Sequence, residues 1–286
     1  MRKRRQSAAN GRSGAAPGKN QKIMSEMVPV FESPSPRIRR LPDDRAWIWL
    51  ANGWRDMVAA PMVSLAYGGV LVLVSFALTL GLWLTGLLFL LLPLAAGFMF
   101  VATLLAVGLY DTSRRLAAGE PVSLKAALLA WRRNPSQIAG FGVILMLFHL
   151  AWVRIALLLY PLFFSGPNPL LAELASVLFF SPQSLPFLVT GTLTGAVLAA
   201  LVFAISAVSI PMLVDRDVSV VTAVATSFVA VRENVRPMAL WAALIVLFIG
   251  LGIALFYLGL ALALPLIGYA SWHCYKDVVE ERAPVN

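Results

Sequence analysis

A single cysteine, Cys274, and only two histidines, His149 and His273, occur in this chain of 286 residues. One thiol closes no internal bridge, so a disulfide framework is excluded. Charge is also scarce, at 13% of residues against about 25% in an average soluble domain. Hydrophobic residues reach 59% and mean hydropathy is +0.81. Neither an ordinary soluble globule nor a disordered chain has that balance. Acids are the rarer sign, 14 against 23 Lys and Arg, for a formal charge of +9. On a soluble protein that excess suggests nucleic acid. Here most of it flanks long uncharged runs, which points to a membrane. No phosphate-binding loop, dinucleotide fingerprint, paired-cysteine metal spacing or nucleophile elbow is present. No enzymatic activity is expected.

Four stretches are almost free of charge: 57–110, 134–172 with Arg154 as the only charge, 174–214, and 237–275. A hydrocarbon core about 30 Å thick takes roughly 20 apolar residues as one helix. The first stretch, 54 residues long, would reach about 80 Å as a single helix. It must therefore fold back, near Thr85-Gly86. The last, at 39 residues, needs two short helices with a turn among Gly250, Gly252 and Gly259. The two middle stretches supply one span each. The expected spans are about 62–84, 87–109, 138–163, 185–213, 238–252 and 256–273.

Lys and Arg near the span ends set orientation. Twelve precede the first span, five lie in 110–136 and three in 214–236, whereas 165–184 has none and its only charge is Glu173. This alternation puts both termini and the two basic loops in the cytoplasm. Residues 1–40 form a basic flexible arm without the apolar region of a secretory signal, suited to resting on anionic headgroups of the bilayer. Aromatic residues do not interleave its charges, so no nucleic-acid partner is expected. Residues 41–280 form the transmembrane domain and 281–286 a tail.

Each pair of spans follows a short segment with one apolar stripe. The stripes are Trp47, Leu50, Trp54 and Met57; Leu124, Leu128 and Trp131 after a candidate N-cap Ser123; and Val220, Val224, Phe228 and Val231 after Ser219. Such stripes suit helices in the headgroup plane. Each segment ends in a polar phrase before a proline: Asn52-Gly53-Trp54-Arg55 before Pro61, Arg132-Arg133-Asn134-Pro135, and Arg232-Glu233-Asn234-Val235-Arg236-Pro237. The fold expected is all-α, a polytopic bundle of six transmembrane helices in three hairpins, each preceded by a cytoplasmic interfacial amphipathic helix. Pro93 and Pro265 should kink their spans. Trp47, Trp49, Trp54, Trp131, Trp241 and Trp272 read as an interfacial anchoring belt. Ser206 and Ser209 suit helix packing in the fourth span.

The phrases WLANGWRDMVAAPMVSLAYGG (49–69), DRDVSVVTAVATSFVAVRENVRPMALWAALI (215–245) and LPLIGYASWHCYKDVV (264–279) resemble the DUF2189 family of bacterial integral membrane proteins, over about residues 37–280. The resemblance implies a bacterial cell inner membrane and no established activity, although some members carry the label of a cytochrome c oxidase subunit. A histidine that the family pattern often places four residues before the second histidine of this chain is replaced here by Tyr269, which leaves His273 alone. A low-spin haem beside a haem–copper centre would take about six imidazoles, so no haem or other cofactor is expected.

The polar candidates within or beside the membrane are His149, Arg154, His273 and Glu173. Arginine inside a span is costly and a functional candidate by default. Arg154 also stands far enough outward to reach the outer headgroups or to pair with Glu173. His149 reads as a neutral core residue. His273, with Cys274, Tyr275, Lys276 and Asp277, reads as an interfacial helix end. No catalytic, cofactor or metal residue is assigned. The leading function is a non-enzymatic structural, assembly or partner-binding membrane bundle. A small-solute channel or transporter using Arg154 and His149 is the alternative, and a haem-linked redox subunit a further one. The channel reading requires Arg154 to face the bundle interior.

Overall fold

The computed structural model describes residues 36–91, 94–95, 104–164 and 180–280. The arm up to residue 35, Pro93 and its expected kink, Glu173, most of the 165–184 loop, most of the expected second span and the tail lie outside the described residues. Among the described residues every named element is helical, and extended pairing is confined to one bridge, Ile38 with Val279.

The elements are α1 (Arg45–Ala59), α2 (Pro61–Leu84), α3 (Val107–Ala117), α4 (Leu124–Leu128), α5 (Pro135–Phe163), α6 (Ser184–Ser206), α7 (Ser209–Asp215), α8 (Val220–Glu233), α9 (Val235–Ala254) and α10 (Leu260–Val278). Short 3-10 turns cover Leu88–Leu90 and Ala130–Arg133. Among the described residues four stretches are long and apolar enough to cross a bilayer: Pro61–Leu84, Pro135–Phe163, Ser184–Asp215 and Val235–Ala254. Their starts and ends follow the sequence signals. Prolines open α2 and α5, where a missing N–H leaves no bond unmade. Gly86 turns the chain after α2 at φ +72°, and the Leu87 N–H donates to the Leu82 carbonyl at 2.8 Å. Ser123 and Ser219 cap α4 and α8 through bonds accepted from Ala126 and Thr222.

A single residue joins each amphipathic segment to the membrane helix that follows. Ala60 (φ −124°, ψ 58°), Asn134 (φ −147°, ψ 66°) and Asn234 (φ −125°, ψ 43°) share one backbone geometry. The same bend thus recurs at the start of all three membrane helices that follow an amphipathic segment.

Helix α10 occupies the centre. It packs against α1, α2, α3, α7 and α9, and Tyr269, Ala270, Cys274, Tyr275 and Val278 are completely buried. Close approach depends on small residues. A Cβ on Gly68 of α2 would stand 2.1 Å from the Ala261 carbonyl oxygen, and one on Gly53 of α1 would stand 2.7 Å from the Ala270 nitrogen. Pro265 has no N–H to return to the Ala261 carbonyl, which leaves that oxygen facing the Gly68 backbone.

At the end of α10, Cys274 and Tyr275 are fully buried and His273, Lys276 and Asp277 half-buried. One expectation is corrected here. The tryptophan belt divides. Trp47, Trp54 and Trp131 are about half exposed, as anchors should be, but Trp49, Trp241 and Trp272 are core residues at 1–2% exposure. Trp49 and Trp241 meet edge to face at 5.8 Å. The α1 stripe divides likewise. Leu50 and Met57 join Ala46, Trp49 and Gly53 against α10, while Trp47 and Trp54 point outward with Val58. Leu124, Leu128, Trp131 and Phe228 stay exposed, whereas Val220, Val224 and Val231 of the third stripe are half-buried against the core. The fourth span breaks between Ser206 and Ser209. Ser227 bridges the break, donating to the Ala204 carbonyl at 2.8 Å and accepting from the Val208 N–H at 3.3 Å.

Candidate functional site, a polar layer around the last helix

The charged residues that flank the apolar runs converge on one end of α10. On α10, His273 and Asp277 are four apart and share a face. Opposite them, α1 presents Arg45, Trp49 and Asp56. Asp277 accepts from Arg45 at 2.5 and 3.1 Å and from the Trp49 indole N–H at 2.9 Å, with Arg39 at 3.7 Å. The bond to Asp277 pushes the Arg45 guanidinium above its ordinary range. The Asp56 carboxylate lies 2.8 Å from His273 Nε2 and accepts from the Ser113 hydroxyl of α3 at 2.5 Å.

A second arm of the layer meets the other side of α10. The Tyr275 hydroxyl donates to Asp215 at 2.7 Å, and Lys276 is 3.5 Å from the same carboxylate. Burial, then the Asp215 charge, pushes the Tyr275 hydroxyl far up, so it remains a donor at any physiological pH. Asp111, 1% exposed, accepts from Arg114 and Arg115 at 2.8 and 2.7 Å. Arg114 also grips Glu120 through two bonds of 2.9 Å, which hold the Glu120 carboxyl below its ordinary value. Main-chain groups complete the layer. Arg133 donates to the Val214 carbonyl, Asn234 donates to the Arg39 carbonyl and accepts from the Leu41 N–H, and Arg216 donates to the Glu280 carbonyl. The Arg39 N–H bonds the Val278 carbonyl at 2.8 Å and the Glu280 N–H bonds the Arg37 carbonyl at 3.0 Å. Both ends of the described chain are clipped side by side.

The chemistry available here is cohesion. Asp56, Asp111, Asp215 and Asp277 each hold a donor or a cation. In Ser113–Asp56–His273 the carboxylate stands between hydroxyl and imidazole, so the imidazole does not touch the serine, unlike a nucleophilic triad. Among the described residues no group of three His, Cys, Asp or Glu could hold a metal ion. Cys274 is buried with its thiol raised by desolvation, the opposite of a reactive thiolate.

The sequence-selected residues scatter. His273 lies in the layer, paired with Asp56. Tyr269, at the position of the missing family histidine, shares a 3.1 Å hydrogen bond with Ser64. Arg154 is exposed on α5, nineteen residues and about 28 Å from Pro135. That exposure removes the main support for a channel lined by Arg154. His149 is partly buried, and its Nδ1 atom is enclosed without a hydrogen-bond partner among the described residues. The 149–154 pair therefore does not meet the layer. Sequence reasoning did not select Asp56, Trp49, Ser113 or Asp215. The available signal was opposite charge alone: Arg45 and Asp56 on one helix, Asp277 and His273 on another.

No curated protein and no solved structure matches the chain. The three phrases that carry the family resemblance lie almost wholly outside the segment that a family model recognises. That segment, residues 91–215, runs from the end of the first membrane helix turn through α7, and it matches the family DUF2189, described as a predicted integral membrane protein.

Proposed function

We propose that this integral membrane protein is a non-catalytic scaffold that serves assembly or binds a membrane partner. One contrast carries the reading. The layer's four buried or half-buried aspartates are engaged within the chain, whereas α5 buries only 6% of its most apolar window. Ionisable groups are committed to holding segments together, and apolar membrane surface is left for lipid or another protein. Along α6, Leu185, Val189, Leu193, Val197 and Leu201 recur every four residues and are all exposed.

The same reading places the protein in a bacterial inner membrane with six crossings in three hairpins and both termini cytoplasmic. The clip between residues 37–39 and 278–280 supports putting the two ends on one side, and the density of Lys and Arg there supports the cytoplasmic side. The arm would rest on anionic headgroups. The test is photo-crosslinking from Val189, Leu193 and Val197 in intact membranes, followed by mild solubilisation. A reproducible adduct with one protein, or with a second copy, is expected. Lipid-only adducts and a bare monomer under every gentle condition would overturn the scaffold reading.

A further inference from the structure

The turn between α9 and α10, residues 255–259, is built unlike a turn that meets water. Phe256 and Tyr257 both have positive φ, 52° and 66°, where Gly or Asn is the usual occupant. Leu255, Phe256 and Leu258 are 62–79% exposed, yet no Asn, Asp, Ser, Thr, Lys, Arg or Glu occurs from residue 237 to residue 270. The one polar side chain of the turn, Tyr257, is directed inward, and its hydroxyl meets that of Thr79 at 2.9 Å. Three of the turn's five backbone N–H groups, and two more at the start of α10, are paired locally. The N–H groups of Leu255, Tyr257, Leu258, Leu260 and Ala261 donate to the carbonyls of Leu251, Ile253, Leu255, Tyr257 and Leu258.

Depth agrees with composition. From His273, in the polar layer, back to Gly259 is fourteen residues, about 21 Å of helix rise. The hydrocarbon core is about 30 Å thick. Helix α2, which shares the Thr79 contact, continues five residues beyond that level before its own turn at Thr85-Gly86, which adds about 7 Å. The α9–α10 hairpin is thus shorter than its neighbour and ends below it.

We infer that the α9–α10 turn is submerged among the acyl chains of the leaflet far from the polar layer, forming an intramembrane hairpin whose tip docks lipid and does not emerge into water. In hydrocarbon an unpaired backbone group or a polar turn residue is costly. Asn, one of the two usual occupants of this conformation, would bring a polar side chain into hydrocarbon, whereas Phe256 and Tyr257 bring aromatic rings. The inference requires only that the apolar helices lie in a bilayer; it stands apart from the scaffold reading and replaces the last two of the six proposed crossings by a hairpin that enters and leaves on the polar-layer side.

Added-cysteine variants Phe256→Cys, Leu258→Cys and Thr85→Cys, reacted with a membrane-impermeant maleimide from each face of sealed vesicles, test it against a wild-type baseline in which Cys274 is buried. Thr85→Cys should label from one face, and the two tip positions at least about tenfold more slowly from either. Tip labelling as fast as Thr85→Cys would overturn the inference. Should the cysteine variants fail to fold, the melting temperatures of Phe256→Asn and Phe256→Gly in phosphatidylethanolamine–phosphatidylglycerol nanodiscs decide instead. Both replacements relieve the left-handed strain, so a submerged tip lowers the Asn variant below wild type and below the Gly variant. An Asn variant melting at or above wild type would show a wet turn and overturn the inference.

Discussion

The two ends of α10's neighbourhood and the α5–α6 pair follow different rules. Around α10 the molecule resembles the interior of a water-soluble protein. Large aromatics are fully buried, glycines let backbones touch, and each aspartate has a donor. Along α5 and α6 the side chains are as apolar but mostly uncovered, and the contacts are modest, such as Leu104 on Gly142 and Trp152 on Gly195. Lipid tails are as apolar as leucine, so burial drives little association inside the membrane. Cohesion is therefore concentrated where polar groups can lock helices together, and the membrane arms remain open to other occupants.

The contrast should break most completely at Gly68. Gly68→Val drives a side chain into the Ala261 backbone, and loss of the monodisperse species by fluorescence-detected size exclusion is expected. Next, Asp277→Ala strands Arg45 and Trp49 and should cost about 2 kcal/mol, less than for a fully buried pair because Arg45 is a third exposed. A lowered midpoint in detergent unfolding would register it, and the double change Arg45→Met with Asp277→Leu should recover part of the loss.

A pH series sharpens the same region. Glu120 has its pKa lowered in the folded state, so its contribution is present above the ordinary value of 4.5 and lost as pH falls through the lower folded value. The melting temperature should fall more steeply with acid below about pH 4.5 in wild type than in Glu120→Gln. The smallest effect belongs to the lipid-facing arm. Leu193→Ala should change stability by under about 0.5 kcal/mol in nanodiscs. A loss as large as that of Asp277→Ala would show that α6 is packed rather than open.

Much of the helical frame was legible because its signals are local. Pro61 and Pro135 start helices, Ser123 and Ser219 cap them, and Gly86 ends one, each for reasons of backbone geometry that one sequence displays. The layer was less legible because apolar periodicity reports that a face avoids water without saying whether lipid or protein covers it. Trp49 and Trp54 look alike in sequence, but one donates to Asp277 and the other faces outward. His273 looked solitary because its partner, Asp56, is 217 positions away. Four helices long and apolar enough to cross a membrane are evident among the described residues, and the number of crossings stays part of the proposal.

The position of α10 in chain order has a consequence for biogenesis. At roughly 5–20 residues per second, the ribosome delivers Asp277 roughly 10–45 s after Arg45. For that interval α1, α2 and α3 enter the membrane without the helix that they close upon, and Arg45 and Asp56 remain without their α10 partners. A chain stalled before residue 260 would present those exposed groups as a mark of incompleteness, and maturation would be completed in one late step rather than helix by helix.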